Sequence, residues 1–109
     1  MPAYGLKVTA GGRSLAYSGD TGPCLALDRL AAGADLLLAE ASFVASRANP
    51  PDLHLTGADC GVAAARGEVG RLVITHVPPW YDPAVAVAEA KVAYAGPIEV
   101  ATSGATWDV

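Results

Sequence analysis

The sequence has few basic residues, and this scarcity weighs against one class of binding protein. Lys and Arg number 7 against 11 Asp and Glu, which gives a net charge of −4 and a pI near 4.8. Proteins that bind nucleic acid usually present a basic face to the phosphate backbone. Seven scattered cations cannot build a large face of that kind, so we expect no nucleic-acid binding by this chain alone.

Long hydrophobic runs are also lacking. No apolar run approaches the ~20 residues that span a bilayer. The first residues, Met-Pro-Ala-Tyr-Gly, do not show the basic region followed by an apolar stretch that is typical of a signal peptide. We therefore expect a cytoplasmic protein with no membrane partner.

Cysteine is scarce, and its spacing excludes the common thiol motifs. Cys24 and Cys60 are the only two cysteines and form no Cys-x-x-Cys pair. Both fall in predicted helices. We expect two small buried thiols, with a disulfide or a metal site as the alternative.

What the chain does contain is an alanine-, valine- and leucine-rich α/β pattern. Its 109 residues, 52% of them hydrophobic, predict one small domain over residues 1–109 with a single core. Strand-like and helix-like patterns alternate, which indicates parallel pairing through right-handed crossovers. The expected elements in chain order are a hairpin (residues 6–10 and 14–18), a helix after Pro23 that ends at Gly33, a strand (35–40), a loop (41–53), a helix from a Thr56–Asp59 capping box to about 66, a strand (72–75), a helix from Pro83 to about 94, a strand (98–101) and a sixth strand at 106–109.

Polar residues follow three of these strands. Asp20 comes after the hairpin's second strand, Glu40 ends the Leu-Leu-Leu-Ala run, and His76 follows Leu-Val-Ile-Thr. Because ligands bind at the carboxyl edge of open α/β sheets, we expect these three side chains to form a site there. His54, the only other histidine, flanks the next helix start.

Each candidate also has a plainer interpretation. Asp20 can be a turn or helix-capping residue, and the adjoining Thr21 and Gly22 can bind an anion such as phosphate at a helix start. Glu40 can be an exposed strand-end carboxylate, but if buried it needs a cation, a metal or hydrogen bonds. A lone histidine at a strand end is commonly structural. Two acids and two histidines together favour a metal-hydrolase centre.

Four ordered stretches resemble the later motifs of the metallo-β-lactamase superfamily, most closely its ribonuclease Z-like branch. These stretches are Ser18-Gly19-Asp20-Thr21, Ala39-Glu40-Ala41-Ser42-Phe43, His54-Leu55-Thr56 and Leu72-Val73-Ile74-Thr75-His76. The resemblance implies half of an αββα sandwich, that is, a mixed sheet with helices on one face. It also departs from the family pattern, since Pro78 stands where that branch usually has Ser.

The resemblance further implies roles for these residues. Asp20 is similar to the aspartate that bridges two metal ions, and His76 is similar to the last histidine ligand of the second metal. Glu40 and His54 are similar to the glutamate and histidine that assist proton transfer to the leaving group. The implied cofactor is zinc, two ions in the complete fold, with manganese or iron as alternatives. The implied nucleophile is a metal-activated hydroxide that attacks a phosphodiester or a small-molecule substrate.

The family's first metal motif, His-x-His-x-Asp-His, is absent from the sequence. The chain is therefore expected to be the carboxyl-terminal half of the domain, inactive alone, with two of the direct metal ligands. An apolar sheet face would then be exposed to water unless a partner covered it. We expect that partner to be either the missing amino-terminal half or a second copy of this chain. Two alternatives stay open: a non-catalytic association module that keeps the half-fold, and an unrelated small α/β domain that binds an anion.

Overall fold

A computed structural model of the chain describes residues 6–19, 25–43, 55–75, 77, 82–102, 104 and 106. Strands and helices follow one another in this part of the chain as β1 (Leu6–Ala10), β2 (Arg13–Tyr17), α1 (Leu25–Ala31), β3 (Leu36–Phe43), β4 (Leu55–Thr56), α2 (Gly57–Gly67), β5 (Leu72–Thr75), α3 (Pro83–Lys91) and β6 (Ile98–Val100). The longest described helix, α2, has 11 residues, and none of the described helices could cross a bilayer.

The strands form one mixed sheet in the order β1-β2-β3-β5-β6. β1 and β2 pair antiparallel through a tight turn in which Gly11 and Gly12 adopt φ angles of 58° and 77°. Residues other than Gly, Asn and Asp rarely adopt these left-handed backbone angles, so the Gly-Gly pair suits this primed turn. β2, β3, β5 and β6 all pair parallel. The predicted hairpin and the predicted α/β class with a mixed sheet are both confirmed.

The three helices cover one face of the sheet. Each parallel step, from β2 to β3, from β3 to β5 and from β5 to β6, crosses over through one helix and moves in the same direction along the sheet. Right-handed crossovers that run in one direction place their helices on a single face. The core accordingly joins alternate strand residues, such as Leu37, Leu72 and Ile74, to Ala31, Cys60 and Ala90 of the helices.

Small residues let α2 and α3 lie unusually close together. A Cβ added to Gly57 would stand 2.4 Å from the carbonyl oxygen of Ala86, and one added to Gly61 would stand 2.4 Å from that of Ala90. Those neighbours are main-chain atoms, which cannot rotate away. Glycine at both positions is therefore required by the backbone approach of the two helices.

The structure corrects three of the predicted boundaries. Residues 41–43 were expected in a loop, but β3 continues to Phe43 because Ala41 and Phe43 pair with the two-residue strand β4, which the pattern did not predict. The last helix ends at Lys91 and not near residue 94. The last described strand ends at Val100, and residues 107–109 of the proposed sixth strand lie outside the described part of the chain.

The face opposite the helices carries a second set of alternate residues. The strand register places Leu6, Tyr17, Leu38, Val73 and Glu99 in one row across five strands. We call this the opposite-face row. Val73 is fully buried, Tyr17 and Leu38 are half-buried, and Leu6 on the edge strand is 63% exposed. Exposure therefore rises along the row from the centre of the sheet to the β1 edge.

Candidate active site

Glu40 is a buried carboxylate near the carboxyl end of the central strand. It is 8% exposed, and it lies on the face opposite the helices because it alternates with Ala39 and Ala41, which are in the helix-side core. The phenolic Oη of Tyr17 on β2 donates a hydrogen bond to Glu40 Oε1 at 2.7 Å. A buried carboxylate requires such a partner to offset its lost hydration. The interpretation of Glu40 as an exposed strand-end residue was therefore wrong.

The end of β2 holds the main chain of Glu40 as well. The Glu40 N–H donates to Ser18 Oγ at 3.1 Å, and the Ser18 N–H donates to the carbonyl of Leu38 at 2.9 Å. Ser18 Oγ in turn donates to the carbonyl of Gly19 at 3.0 Å, and Ser18 is buried. Gly19 has a φ of 64°, where a residue with a Cβ is strained. This arrangement ends the strand and turns the chain just before Asp20.

The end of β5 lies on the other side of Glu40. Thr75, its last residue, is in register with Glu40, and Val77 packs against the helix-side core two residues later. The strand ends that precede Asp20 and His76 therefore flank Glu40 on both sides. Asp20 and His76 themselves lie outside the described residues, as do Thr21 and Gly22.

The fourth segment of the site is the start of β4 and α2. Leu55 pairs with Ala41, the residue after Glu40. Thr56 and Asp59 form the predicted capping box: Thr56 Oγ1 accepts from the Asp59 N–H at 3.1 Å, and Asp59 Oδ2 accepts from the Thr56 N–H at 2.9 Å. This reciprocal pair fixes the helix start at Thr56, two residues after His54, which lies outside the described residues.

Cys60 lies in the helix-side core, whereas Glu40 lies on the opposite face of the sheet. Burial raises the pKa of the Cys60 thiol strongly and keeps it neutral, so it is a poor metal ligand. The prediction of a buried thiol is confirmed for Cys60, whereas Cys24 lies outside the described residues. No three His, Cys, Asp or Glu side chains come together as a metal site among the residues that the structure describes.

Sequence reasoning missed Tyr17 and Ser18. Tyr17 was assigned only to a strand, although it stands three residues before Asp20 and alternates onto the same face as Leu15. Its signal was available in part: a tyrosine on a strand next to one that ends in a buried glutamate can supply the hydrogen bond that the carboxylate needs. Whether the Tyr17 hydroxyl reaches Glu40 depends on the register of β2 against β3, which cannot be read from the sequence.

The chain has related sequences of known family. No protein-family model matches it. An uncharacterised protein of Mycobacterium leprae is 47% identical over 108 residues, which is 98% of this chain and 38% of that protein. Ribonuclease Z of Myxococcus xanthus is 37% identical over 99 residues, which is 87% of this chain and 32% of that enzyme. The chain thus spans well under half the length of these relatives.

Solved structures give the same result for the fold. The metallo-β-lactamase fold protein YhfI of Bacillus subtilis superposes with a TM-score of 0.90 at 27% identity, over 96% of this chain and 44% of that chain. Human tRNase Z, short form, superposes with a TM-score of 0.69 at 22% identity, over 93% of this chain and 36% of that one, which is a likeness of fold. The chain therefore belongs to the metallo-β-lactamase superfamily, with ribonuclease Z proteins and the probable metallo-hydrolase YhfI among its homologues.

Proposed function

We propose that this chain is the carboxyl-terminal part of a metal-dependent phosphodiester hydrolase similar to ribonuclease Z. One observation carries the proposal: the parallel strands β2 and β5 end on either side of the buried Glu40 of β3, in a chain homologous to ribonuclease Z. The carboxyl edge of such a sheet is where ligands bind in α/β folds. The substrate class follows from the names of the relatives.

Asp20 and His76 are the proposed metal ligands. His76 directly follows Thr75, the last residue of β5, and Asp20 comes three residues after Tyr17, the last residue of β2. A carboxylate and an imidazole are donors that zinc accepts, and manganese or iron also suits them. A bound metal supplies Lewis acidity and a nucleophilic water at neutral pH. Catalytic zinc sites use about three protein ligands, so these two require further ligands from elsewhere.

Glu40 and His54 are the proposed proton-transfer pair. Hydrogen bonds hold both the main chain and the carboxylate of Glu40. A residue that accepts or donates a proton in catalysis needs a fixed position of this kind. His54 comes one residue before Leu55, which pairs with Ala41 of β3, and two residues before Thr56, the N-cap of α2. Thr21 and Gly22 are proposed to contact the anionic substrate at the start of α1.

The opposite-face row is the proposed contact with the rest of the hydrolase or with a second copy of this chain. Leu6 and Val8 on β1 are 63% and 56% exposed and lie on the same face as the half-buried Leu15, Tyr17 and Leu38. A contiguous apolar surface of this kind is typical of an association site. Association would also supply the ligands that this chain lacks.

A segment exchange tests the function. The matched segment of the Mycobacterium leprae relative is replaced by this chain, and hydrolysis of bis(4-nitrophenyl) phosphate is measured with zinc or manganese. We expect the hybrid to hydrolyse this substrate. His76→Ala should abolish both hydrolysis and metal binding, and elemental analysis measures the bound metal. Glu40→Gln should keep the metal and lower kcat by about 100-fold, as the loss of a general acid or base does.

The control is Arg13→Ala, at an exposed position in the hairpin with a long ion pair to Asp35. It should change neither metal content nor rate. A hybrid that folds and binds metal but hydrolyses no phosphodiester would contradict the proposed activity, and metal binding that survives His76→Ala would contradict the ligand assignment.

A further inference from the structure

The hydrogen bond between Tyr17 and Glu40 joins neighbouring strands in an oblique direction. Tyr17 is in register with Leu38, two residues before Glu40. Its side chain must therefore extend along the sheet towards the carboxyl edge to place Oη 2.7 Å from Glu40 Oε1. A hydroxyl that donates to a carboxylate forms one of the shorter and stronger hydrogen bonds in proteins. The contact fixes one carboxylate oxygen relative to β2.

Ser18 fixes the main chain of the same residue. Its Oγ accepts the Glu40 N–H at 3.1 Å and is itself oriented by the Gly19 carbonyl at 3.0 Å. Tyr17, the last residue of β2, and Ser18, which follows it, thus hold the side chain and the main chain of Glu40. A glutamate side chain has three rotatable bonds, and the Ser18 contact to the main chain restricts none of them directly, whereas the Tyr17 contact holds the carboxylate itself.

We propose that Tyr17 is a positioning residue for Glu40, which sets the carboxylate in the rotamer used for proton transfer. The inference rests on the proposed function of Glu40. The phenolic O–H is the donor of this contact and the carboxylate oxygen is the acceptor. The half-buried ring of Tyr17 also covers part of the sheet surface next to the carboxylate.

A double-mutant cycle in the hybrid hydrolase tests this role. Tyr17→Phe removes only the hydroxyl, and we expect kcat to fall about 10-fold with KM unchanged, since an interaction needed for the chemical step affects kcat. Glu40→Gln should lower kcat further. The double variant should be no slower than Glu40→Gln, because Tyr17 acts only through Glu40.

The matched control is Tyr94→Phe. Tyr94 Oη donates to the carbonyl of Val69 at 2.8 Å within the helix-side core, so the same hydroxyl is lost at a distant place. This variant should keep kcat, and thermal unfolding followed by circular dichroism shows whether either variant is folded.

A second measurement uses this chain alone. The carboxyl carbon of Glu40 is observed by NMR among the four glutamates, Glu40, Glu68, Glu89 and Glu99. Its chemical shift should move in Tyr17→Phe and stay in place in Tyr94→Phe. An unmoved Glu40 signal, an unchanged kcat in Tyr17→Phe, or a double variant clearly slower than Glu40→Gln would each overturn the positioning role. An inactive wild-type hybrid would instead overturn the proposed function.

Discussion

The two faces of the sheet differ in how completely the chain covers them. The helix-side row consists of Lys7, Ala16, Leu37, Leu72 and Ile98, and its three central members are fully buried against the helices. The opposite-face row is Leu6, Tyr17, Leu38, Val73 and Glu99, and only Val73 in it is buried. On the helix side the chain's own helices bury the centre of the sheet completely. The other side combines apolar residues with the Tyr17–Glu40 contact.

This difference separates stability from function in the molecule. The helix side depends on close packing of small residues, as the approach of α2 to α3 at Gly57 and Gly61 demonstrates. The candidate site and the exposed Leu6 and Val8 side chains of β1 belong to the other face. Substitutions on the helix side should therefore change folding, and substitutions on the opposite side should change association or chemistry.

The largest effect on stability is expected at one of two neighbouring leucines in β3. Leu37 faces the helices and is fully buried, whereas Leu38 faces the other way and is half-buried. Leu37→Ala should lower the free energy of unfolding by about 3 kcal/mol, because it leaves a cavity in the core. Leu38→Ala should cost about 1 kcal/mol, since it removes less buried area. Urea denaturation measures both, and equal losses would mean that both faces are covered alike.

A smaller effect is expected from the contact between α2 and α3. Gly61→Ala introduces a Cβ 2.4 Å from the Ala90 carbonyl oxygen and 2.7 Å from its Cα, so the helices must separate. We expect a loss of about 2 kcal/mol, as in other overpacked cores, even though Ala favours the helical state. The control Val92→Ala, at an 89% exposed position, should stay within about 0.5 kcal/mol of wild type. A Gly61→Ala protein as stable as wild type would show that the helices can separate freely.

The pH dependence of stability tests the same core. Burial raises the pKa of Cys60 in the folded state, whereas an unfolded cysteine ionises near about pH 8.5. Above that pH the unfolded state binds fewer protons than the folded state, so stability falls as pH rises, by up to about 1.4 kcal/mol per pH unit. Denaturation at pH 8, 9 and 10 should show this slope in wild type and a shallower one in Cys60→Ala. Equal slopes would mean that the Cys60 thiol is accessible to water in the folded protein.

Much of the fold could be predicted because its signals are local. A few neighbouring residues are enough to recognise the Gly11-Gly12 turn, the Thr56–Asp59 capping box and the apolar runs of β3 and β5. The end of β3 could not be predicted, because residues 41–43 are extended by pairing with β4, a strand too short to show any periodicity.

The candidate site could be predicted only up to its strand ends. Parallel alternation indicated that Glu40 lies near the ends of β2 and β5, and the register agrees. The contact with Tyr17 could not be predicted, because the register of parallel strands is set by packing of the whole core. The assignments of Asp20, His54 and His76 stay predictions, since these residues lie outside the described part of the chain.

The smallest effect on stability is expected for substitutions on the edge strand β1. Leu6 and Val8 are 63% and 56% exposed, so replacing both by Ser should change the free energy of unfolding by less than about 0.5 kcal/mol. The same double variant should weaken association strongly, because it removes the most exposed apolar side chains of that face. Size-exclusion chromatography with light scattering at micromolar concentration should find an associated wild type and a monomeric variant.

Lys7→Ser with Thr9→Ser is the matched control, since these residues alternate with Leu6 and Val8 on the same strand and Lys7 reaches the Ala32 carbonyl on the helix side. If association depends on the opposite face, this pair should leave it intact. If neither pair weakens association, the partner does not bind the apolar face and pairs instead with the main chain of the β1 edge, whose N–H and C=O groups all four substitutions leave in place. A wild-type chain that stays monomeric would remove the self-association half of the proposal, and the rest of the hydrolase would then be the only partner left for that face.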